Sequence, residues 1–262
     1  MKTITAIKNQ KGKTPLTVIT AYDALFASLF DTKVDIILVG DSLNMSFHAK
    51  PDTLSASMEV MLYHTKAVCA GAKDSFIVCD MPFGTYTDEQ SALHNASRVY
   101  SETGAHAVKI EGGVSRAHII KALTQNAIAV MGHIGLMPQY VRSEGGYKIR
   151  GRSEEDILAL IEDAKAVEAA GAFSMVIEGV VEDAARRISE AVSIPTIGIG
   201  AGKYTDGQVL VWSDMLGFFQ AFQPKFVKRY LDGASLVRNA LDCYIKEVQE
   251  RSFPSAEHTY TK

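Results

Sequence analysis

The sequence predicts an α/β protein built as a (β/α)8 TIM barrel with a single domain, on three observations. Short β-branched apolar segments alternate about eight times with longer segments of helical spacing. The short segments are apolar throughout, without the alternation of a sheet that keeps one face wet, so both faces must be covered. The chain has 262 residues, the size of one such barrel. A doubly wound open sheet is the competing architecture, and the strand count and length favour the closed ring.

The strands are expected at 16–21, 35–39, 76–79, 107–110, 127–131, 173–177, 196–199 and 209–212. Between the second and third, Met58, Met61, Leu62, Thr65, Val68 and Cys69 recur at three-and-four spacing and form one helical stripe, with Gly71 as its C-terminal cap. Between the fifth and sixth, Ser153 and Asp156 resemble a capping box, Glu154 and Glu155 occupy the positive first turn, and Ile157, Leu160, Ile161 and Ala164 face inward. Gly171 ends that helix. Ala185, Ile188 and Val192 repeat the pattern until Pro195 stops it and introduces the seventh strand. No Pro-, Ser- or Gly-rich linker divides the chain, so residues 1–262 are read as one domain. The polar, Gly-rich stretch 137–152 is long for a connection, and is either an active-site loop or a surface excursion. Residues 251–262 read as a loosely ordered tail.

Composition excludes several classes. Apolar residues make up 47% and charged residues 22%, ordinary for a globular protein. The net charge of −3 offers no basic field, so no nucleic-acid partner is expected. No apolar run is long enough to span a bilayer, so no membrane partner is expected, and residues 1–8 lack the apolar region of a signal peptide. Cys69, Cys79 and Cys243 have no CxxC spacing, which argues against a disulfide framework or a thiolate zinc site and for the cytoplasm.

In a parallel barrel, chemistry sits at the C-terminal ends of the strands. Here those ends carry Asp41 with Ser42, Asp80, Lys109 with Glu111, His133 and Glu178. Carboxylates at four strand ends around one mouth would repel one another unless a cation sat among them. Hard oxygen ligands with open positions suit Mg2+ better than zinc, and Lys109 could assist. His133, between glycines at a strand end, is the one histidine placed in the site; His48, His64, His94, His106, His118 and His258 read as surface or core-edge residues. Other motifs fail. Gly198 to Gly202 has Lys203 where a dinucleotide fingerprint needs its third glycine, and a P-loop ending at Gly12-Lys13-Thr14 would need a glycine at Ile7. Neither HExxH nor GxSxG occurs, and Cys79 reads as a buried hydrophobe.

Several strand-end motifs resemble the ketopantoate hydroxymethyltransferase family. They are Val39-Gly40-Asp41-Ser42-Leu43, Cys79-Asp80-Met81-Pro82-Phe83, Val108-Lys109-Ile110-Glu111-Gly112-Gly113 and Gly132-His133-Ile134-Gly135-Leu136. Gly145-Gly146-Tyr147-Lys148, the run from Pro195 to Gly202, Thr205-Asp206-Gly207-Gln208 and Pro224-Lys225-Phe226 extend the match in order along nearly the whole chain. The resemblance implies a (β/α)8 barrel that moves a hydroxymethyl group from 5,10-methylenetetrahydrofolate to 3-methyl-2-oxobutanoate, giving 2-dehydropantoate for pantothenate and coenzyme A. It implies Asp41, Asp80 and Glu111 as the Mg2+ site, Asp41, Ser42, Asp80 and Lys109 as the keto-acid site, Glu178 as the general base and His133 in the site without a fixed role. It further implies a homo-oligomer, a homodecamer in the family. Asn44, Ala49 and Gly179 depart from the pattern, which bears on loop shape. A Mg2+ barrel of the phosphoenolpyruvate mutase and isocitrate lyase kind is the nearest alternative, and a non-catalytic barrel holding a small anion at Gly198 to Gly202 is the alternative of another class.

Overall fold

Eight parallel strands close into a barrel in chain order: β1 (Leu16–Thr20), β2 (Ile36–Val39), β3 (Phe76–Asp80), β4 (Ala107–Glu111), β5 (Val130–Gly135), β6 (Ser174–Glu178), β7 (Thr196–Ile199) and β8 (Gly207–Leu210). The computed structural model describes residues 2–220 and 222–261. The ring shuts where β1 pairs with β8, Leu16 against Gly207. The chain forms two compact units, Met1–Val211, which holds the barrel, and Trp212–Lys262.

Helix α1 (Ile4–Lys8) precedes the barrel, and α2 (Ala24–Phe30), α3 (Leu43–Ser46), α4 (Met58–Gly71), α5 (Glu89–Glu102), α6 (Ala117–Gln125), α7 (Glu154–Ala169) and α8 (Glu182–Glu190) lie between strands. The alternation breaks once: residues 200–206 join β7 to β8 without a helix. The second unit carries α9 (Trp212–Met215) and α10 (Gly233–Gln249). No helix among the described residues is long and apolar enough to cross a membrane.

Local chemistry explains the helix ends. Asp23, Ser57, Asp88 and Ser153 each accept a backbone N–H of the first turn of α2, α4, α5 and α7. At Ser153 only half of the expected capping box forms, because the Asp156 carboxylate instead pairs with Arg150 at 2.6 Å. The reciprocal box is at Asp88 and Ser91. Gly71 stays inside α4 and Ala72 is the cap. Glycine is needed there because a Cβ would sit 2.2 Å from the carbonyl oxygen of Ala24, where α2 and α4 meet. Gly171 follows α7 with φ +95, as a helix terminator should.

Two strands lie off their expected places. β5 starts at Val130 because Ala127 takes φ +62, a left-handed turn that no strand residue adopts. β8 starts two residues early and ends before Trp212, which opens α9 instead.

Strand periodicity builds both the core and the site. Val18, Ile36, Leu38, Phe76, Val78, Ala107, Met131, Val176, Ile197 and Val209 form one buried apolar cluster, under which Ile7 of α1 packs. Successive residues on one face of a strand are two apart. Asp80 therefore follows Val78 on that face, Lys109 and Glu111 follow Ala107, His133 follows Met131, and Glu178 follows Val176. One inward face changes from apolar to charged toward the C-terminal ends.

At the other end of the barrel the Asp206 carboxylate ties the turn after α1 to the last strands. It accepts from the Thr196 amide at 2.9 Å, the Lys11 ammonium at 2.8 Å and the Gly12 amide at 2.8 Å. In the second unit, α10 buries only Gly233 and Ala234. Leu236, Val237, Leu241, Tyr244, Ile245 and Val248 are all exposed along it.

Candidate active site at the C-terminal mouth

Asp41, Asp80, Lys109, Glu111 and His133 are each at least 96% buried. They form a connected array. Lys109 Nζ lies 2.8 Å from Asp80 Oδ1 and 3.1 Å from His133 Nδ1. The Asp41 amide donates to Asp80 Oδ2 at 3.0 Å. His133 Nδ1 is 3.6 Å from Glu111 Oε1, and its Nε2 faces Glu178 Oε2 at 3.2 Å without the alignment of a hydrogen bond. Glu178 is the member with an open side, its side chain 19% exposed. Ser42 sits at the edge, its hydroxyl 2.8 Å from the Tyr22 hydroxyl. The structure thus brings Asp41, Asp80, Lys109, Glu111, His133 and Glu178 together and leaves Ser42 beside them.

Burial of so many charges sets their ionisation. Burial pushes the Asp41 carboxyl well above its ordinary range, and the nearby Asp80 and Glu111 charges push the same way. Burial also raises Asp80, with Lys109 opposing it. For Lys109, burial acts against the charge, and Asp80, Glu111 and Asp41 together outweigh it, so the ammonium keeps its proton. Burial and Lys109 press down on His133, but Glu111 and Glu178 win and lift it to about 9. The ring therefore lies between charges, with Nδ1 facing Lys109 and Glu111 and Nε2 facing Glu178.

Two residues of this site were invisible in the sequence. Gln139, in a 3-10 turn at Pro138–Tyr140, is 5% exposed. Its amide N–H donates to Glu111 Oε2 at 3.0 Å, and its side-chain Nε2 donates to Asp41 Oδ2 at 2.9 Å and to the Met81 carbonyl at 3.0 Å. Tyr86 donates its hydroxyl to Gln139 Oε1 at 2.5 Å. Stretch 137–152 therefore plugs into the carboxylates at its start, and Arg150 bridges to Val180 at its end. A lone glutamine in a polar loop carries no sequence signal for burial.

The donor set has the chemistry for a hard cation. Glu111 Oε1 is buried without a hydrogen-bond partner, and the surplus of carboxylates raises Asp41. No three His, Cys, Asp or Glu side chains of the described residues form a ready metal cage. Gln139 engages Asp41 and Glu111, while Lys109 engages Asp80. Cys79 is fully buried, accepts from the Thr65 hydroxyl at 3.2 Å and has its thiol pushed up to about 12 by burial, as suits a core residue. The departure at 44 finds a reason, and that at 49 does not, since a left-handed φ favours the glycine it replaces. Asn44 is buried and donates to the Asp52 carbonyl at 2.7 Å, pinning the loop after β2, while Ala49 takes φ +52 and Gly179 φ +56.

A closed parallel barrel with an ammonium, an imidazole and several carboxylates converging at its C-terminal mouth defines an acid–base barrel enzyme. The chain belongs to the ketopantoate hydroxymethyltransferase family, whose model matches residues 1–256. A 3-methyl-2-oxobutanoate hydroxymethyltransferase of Aliarcobacter butzleri is 66% identical over 98% of this chain and 96% of its own length. Namesakes from Sulfurimonas denitrificans (98% of both chains) and Helicobacter pylori (98% of this chain, 96% of its own) are 61% and 56% identical. Among solved structures, a phosphonopyruvate hydrolase superposes with TM-score 0.63 at 13% identity, covering 100% of this chain and 92% of its own. A 2,3-dimethylmalate lyase gives TM-score 0.58 at 15% identity, covering 100% and 93%. These two share the fold.

Proposed function

We propose that this protein moves the one-carbon unit of 5,10-methylenetetrahydrofolate onto C3 of 3-methyl-2-oxobutanoate. With one water consumed, the products are 2-dehydropantoate, on the route to pantothenate and coenzyme A, and tetrahydrofolate. The observation that carries this reading is the inward-facing array Asp80, Lys109, His133 and Glu178, in which a fixed positive charge lies across from an accessible carboxylate.

Glu178 takes the C3 proton of the keto acid, being the carboxylate with an open side. His133, with Nε2 3.2 Å from Glu178 Oε2, holds that carboxylate by electrostatic attraction and stands between it and Lys109. Lys109, locked by Asp80, faces the oxygen on which negative charge grows as the proton leaves. Asp41 and Ser42 complete the keto-acid pocket at the end of β2. Asp41, Asp80 and Glu111 would hold Mg2+, which when bound supplies positive charge that acidifies the C3 proton. Gln139 fastens the 137–152 loop over these groups and limits water around the carbanion. Water first adds to the methylene carbon to give the N-hydroxymethyl folate; the carbanion then forms the C–C bond to that carbon, the bond to the folate nitrogen breaks, and the proton held by Glu178 goes to that nitrogen. We place the reaction in the cytoplasm and on a homo-oligomer, a homodecamer by family resemblance; the exposed apolar stripe of α10 supports assembly.

The test is hydrogen–deuterium exchange at C3 of 3-methyl-2-oxobutanoate, followed by NMR with and without Mg2+, before folate is added. Metal-dependent exchange is expected, followed by product once methylenetetrahydrofolate is supplied. Absence of both would sink the assignment.

A further inference from the structure

Beside the catalytic array lies a cleft of about 160 Å3, with walls that include Phe83, Tyr86, Arg116, Gln139 and Tyr140. A neighbouring cavity of about 350 Å3 shares Phe83, Gln139 and Ser143 with it, so the two adjoin along one groove wall. Three features give this groove a chemistry. It is aromatic: the Phe83 ring is 54% exposed, and Tyr86 and Tyr140 stand beside it. It carries an uncommitted cation. The Arg116 guanidinium lies 5.8 Å over the Tyr86 ring, and its buried Nε has no hydrogen-bond partner. By contrast Arg98, Arg142, Arg150, Arg186 and Arg187 are all in ion pairs with carboxylates. It also touches the chemistry, because the Gln139 side chain that walls the groove is bonded to Asp41.

Space for Arg116 is built into the backbone. Gly112 sits at φ +129, and a Cβ there would lie 2.4 Å from Arg116 Cγ. The glycine that follows the Glu111 strand end therefore lets the guanidinium fold back over Tyr86. A flat ring system that stacks on aromatic side chains, joined to a carboxylate that an arginine can clamp, fits these walls.

We propose that this groove binds the one-carbon donor, its rings against Phe83 and Tyr140 and its glutamate carboxylate on Arg116. The proposal rests on the donor assigned above. Its geometry meets the demand of the reaction: the donor's methylene must reach the keto acid, and Gln139, which walls the groove, is bonded to Asp41.

The experiment compares two donors, 5,10-methylenetetrahydrofolate and its analogue without glutamate, 5,10-methylenetetrahydropteroate, on the wild type, Arg116→Gln and Phe83→Ala. Losing one charge-assisted contact should raise the KM for methylenetetrahydrofolate about tenfold in Arg116→Gln. The pteroate KM should move little in that variant, so the wild-type preference for the glutamylated donor collapses. Phe83→Ala should raise the KM for both donors. An Arg116→Gln enzyme that keeps the wild-type preference overturns the proposal and leaves the donor assignment standing. A wild type that turns over with neither donor overturns both. Circular dichroism of each variant establishes that it is folded before either result is read.

Discussion

The barrel mouth and helix α10 break the usual inside–outside rule in opposite directions. At the mouth, five charged or ionisable side chains are almost wholly buried. Along α10, six large apolar side chains are exposed. Buried charges survive where they are paired or hydrogen-bonded, and here Asp80 pairs with Lys109 while Gln139 donates to Asp41 and Glu111. Exposed apolar side chains lose little internally when changed, because they bury little surface against their own chain. The comparison teaches that the cost of a substitution in this protein follows its partners more than its polarity.

The sharpest way to break that comparison is at Glu178. Glu178→Gln keeps the shape and removes the proposed base, so C3 exchange should fall by about 10²–10⁴, while calorimetric affinity for the keto acid stays within a few-fold. Exchange at the wild-type rate would remove Glu178 from the mechanism. Next comes Asp80→Asn, which leaves the Lys109 ammonium buried without its 2.8 Å partner. Loss of one side of a buried pair costs about 3–5 kcal/mol, and urea unfolding should show it; a loss under 1 kcal/mol would mean that Lys109 is held by Glu111 and Asp41 instead. The contrasting substitution is Leu241→Ser with Ile245→Ser on α10. Stability of the dissociated chain should change by about 0.5 kcal/mol or less, while sedimentation velocity shifts to smaller species. Sedimentation identical to the wild type would mean that this stripe holds no assembly together.

The smallest effect is expected at Asp31, a half-buried residue whose carboxylate accepts the backbone N–H groups of Lys73, Asp74 and Ser75. Burial opposes this, yet those hydrogen bonds hold its pKa down to about 2, from 3.8. A depressed pKa stabilises the fold above the unfolded value, so this contribution is whole above about pH 4 and fades as pH falls toward 2. Asp31→Asn should therefore flatten the acid side of the stability curve slightly. An unchanged slope between pH 4 and 2 would show that the three amides are equally satisfied without the charge.

Much of the barrel was legible because strand sequence and strand function share one period. The residues two beyond Val78, Ala107, Met131 and Val176 are charged or ionisable, so reading where each apolar run stopped already located Asp80, Lys109, His133 and Glu178. What escaped depends on folding at a distance. Gln139 and Tyr86 are buried only because the 137–152 loop folds onto the carboxylates, and nothing local marks them. Arg116 looks like any surface arginine until Gly112 makes room for it. The offset of β5 comes from one left-handed residue, Ala127, and that of β8 from where the helix at Trp212 begins.

The pairing of Leu16 with Gly207 has a consequence for how the chain is made. The first strand leaves the ribosome with an edge bare, and its partner on that edge is the last strand to be synthesised. At typical rates of about 5–20 residues per second, roughly ten to forty seconds pass before that partner emerges. During this interval an apolar strand edge waits, open to any other strand. Asp206, just before the closing strand, arrives in time to catch Lys11 and Gly12 at the other end of the chain. This late clasp makes completion of the ring the step at which a nascent chain stops being a target for chaperones and for its own neighbours on the same message.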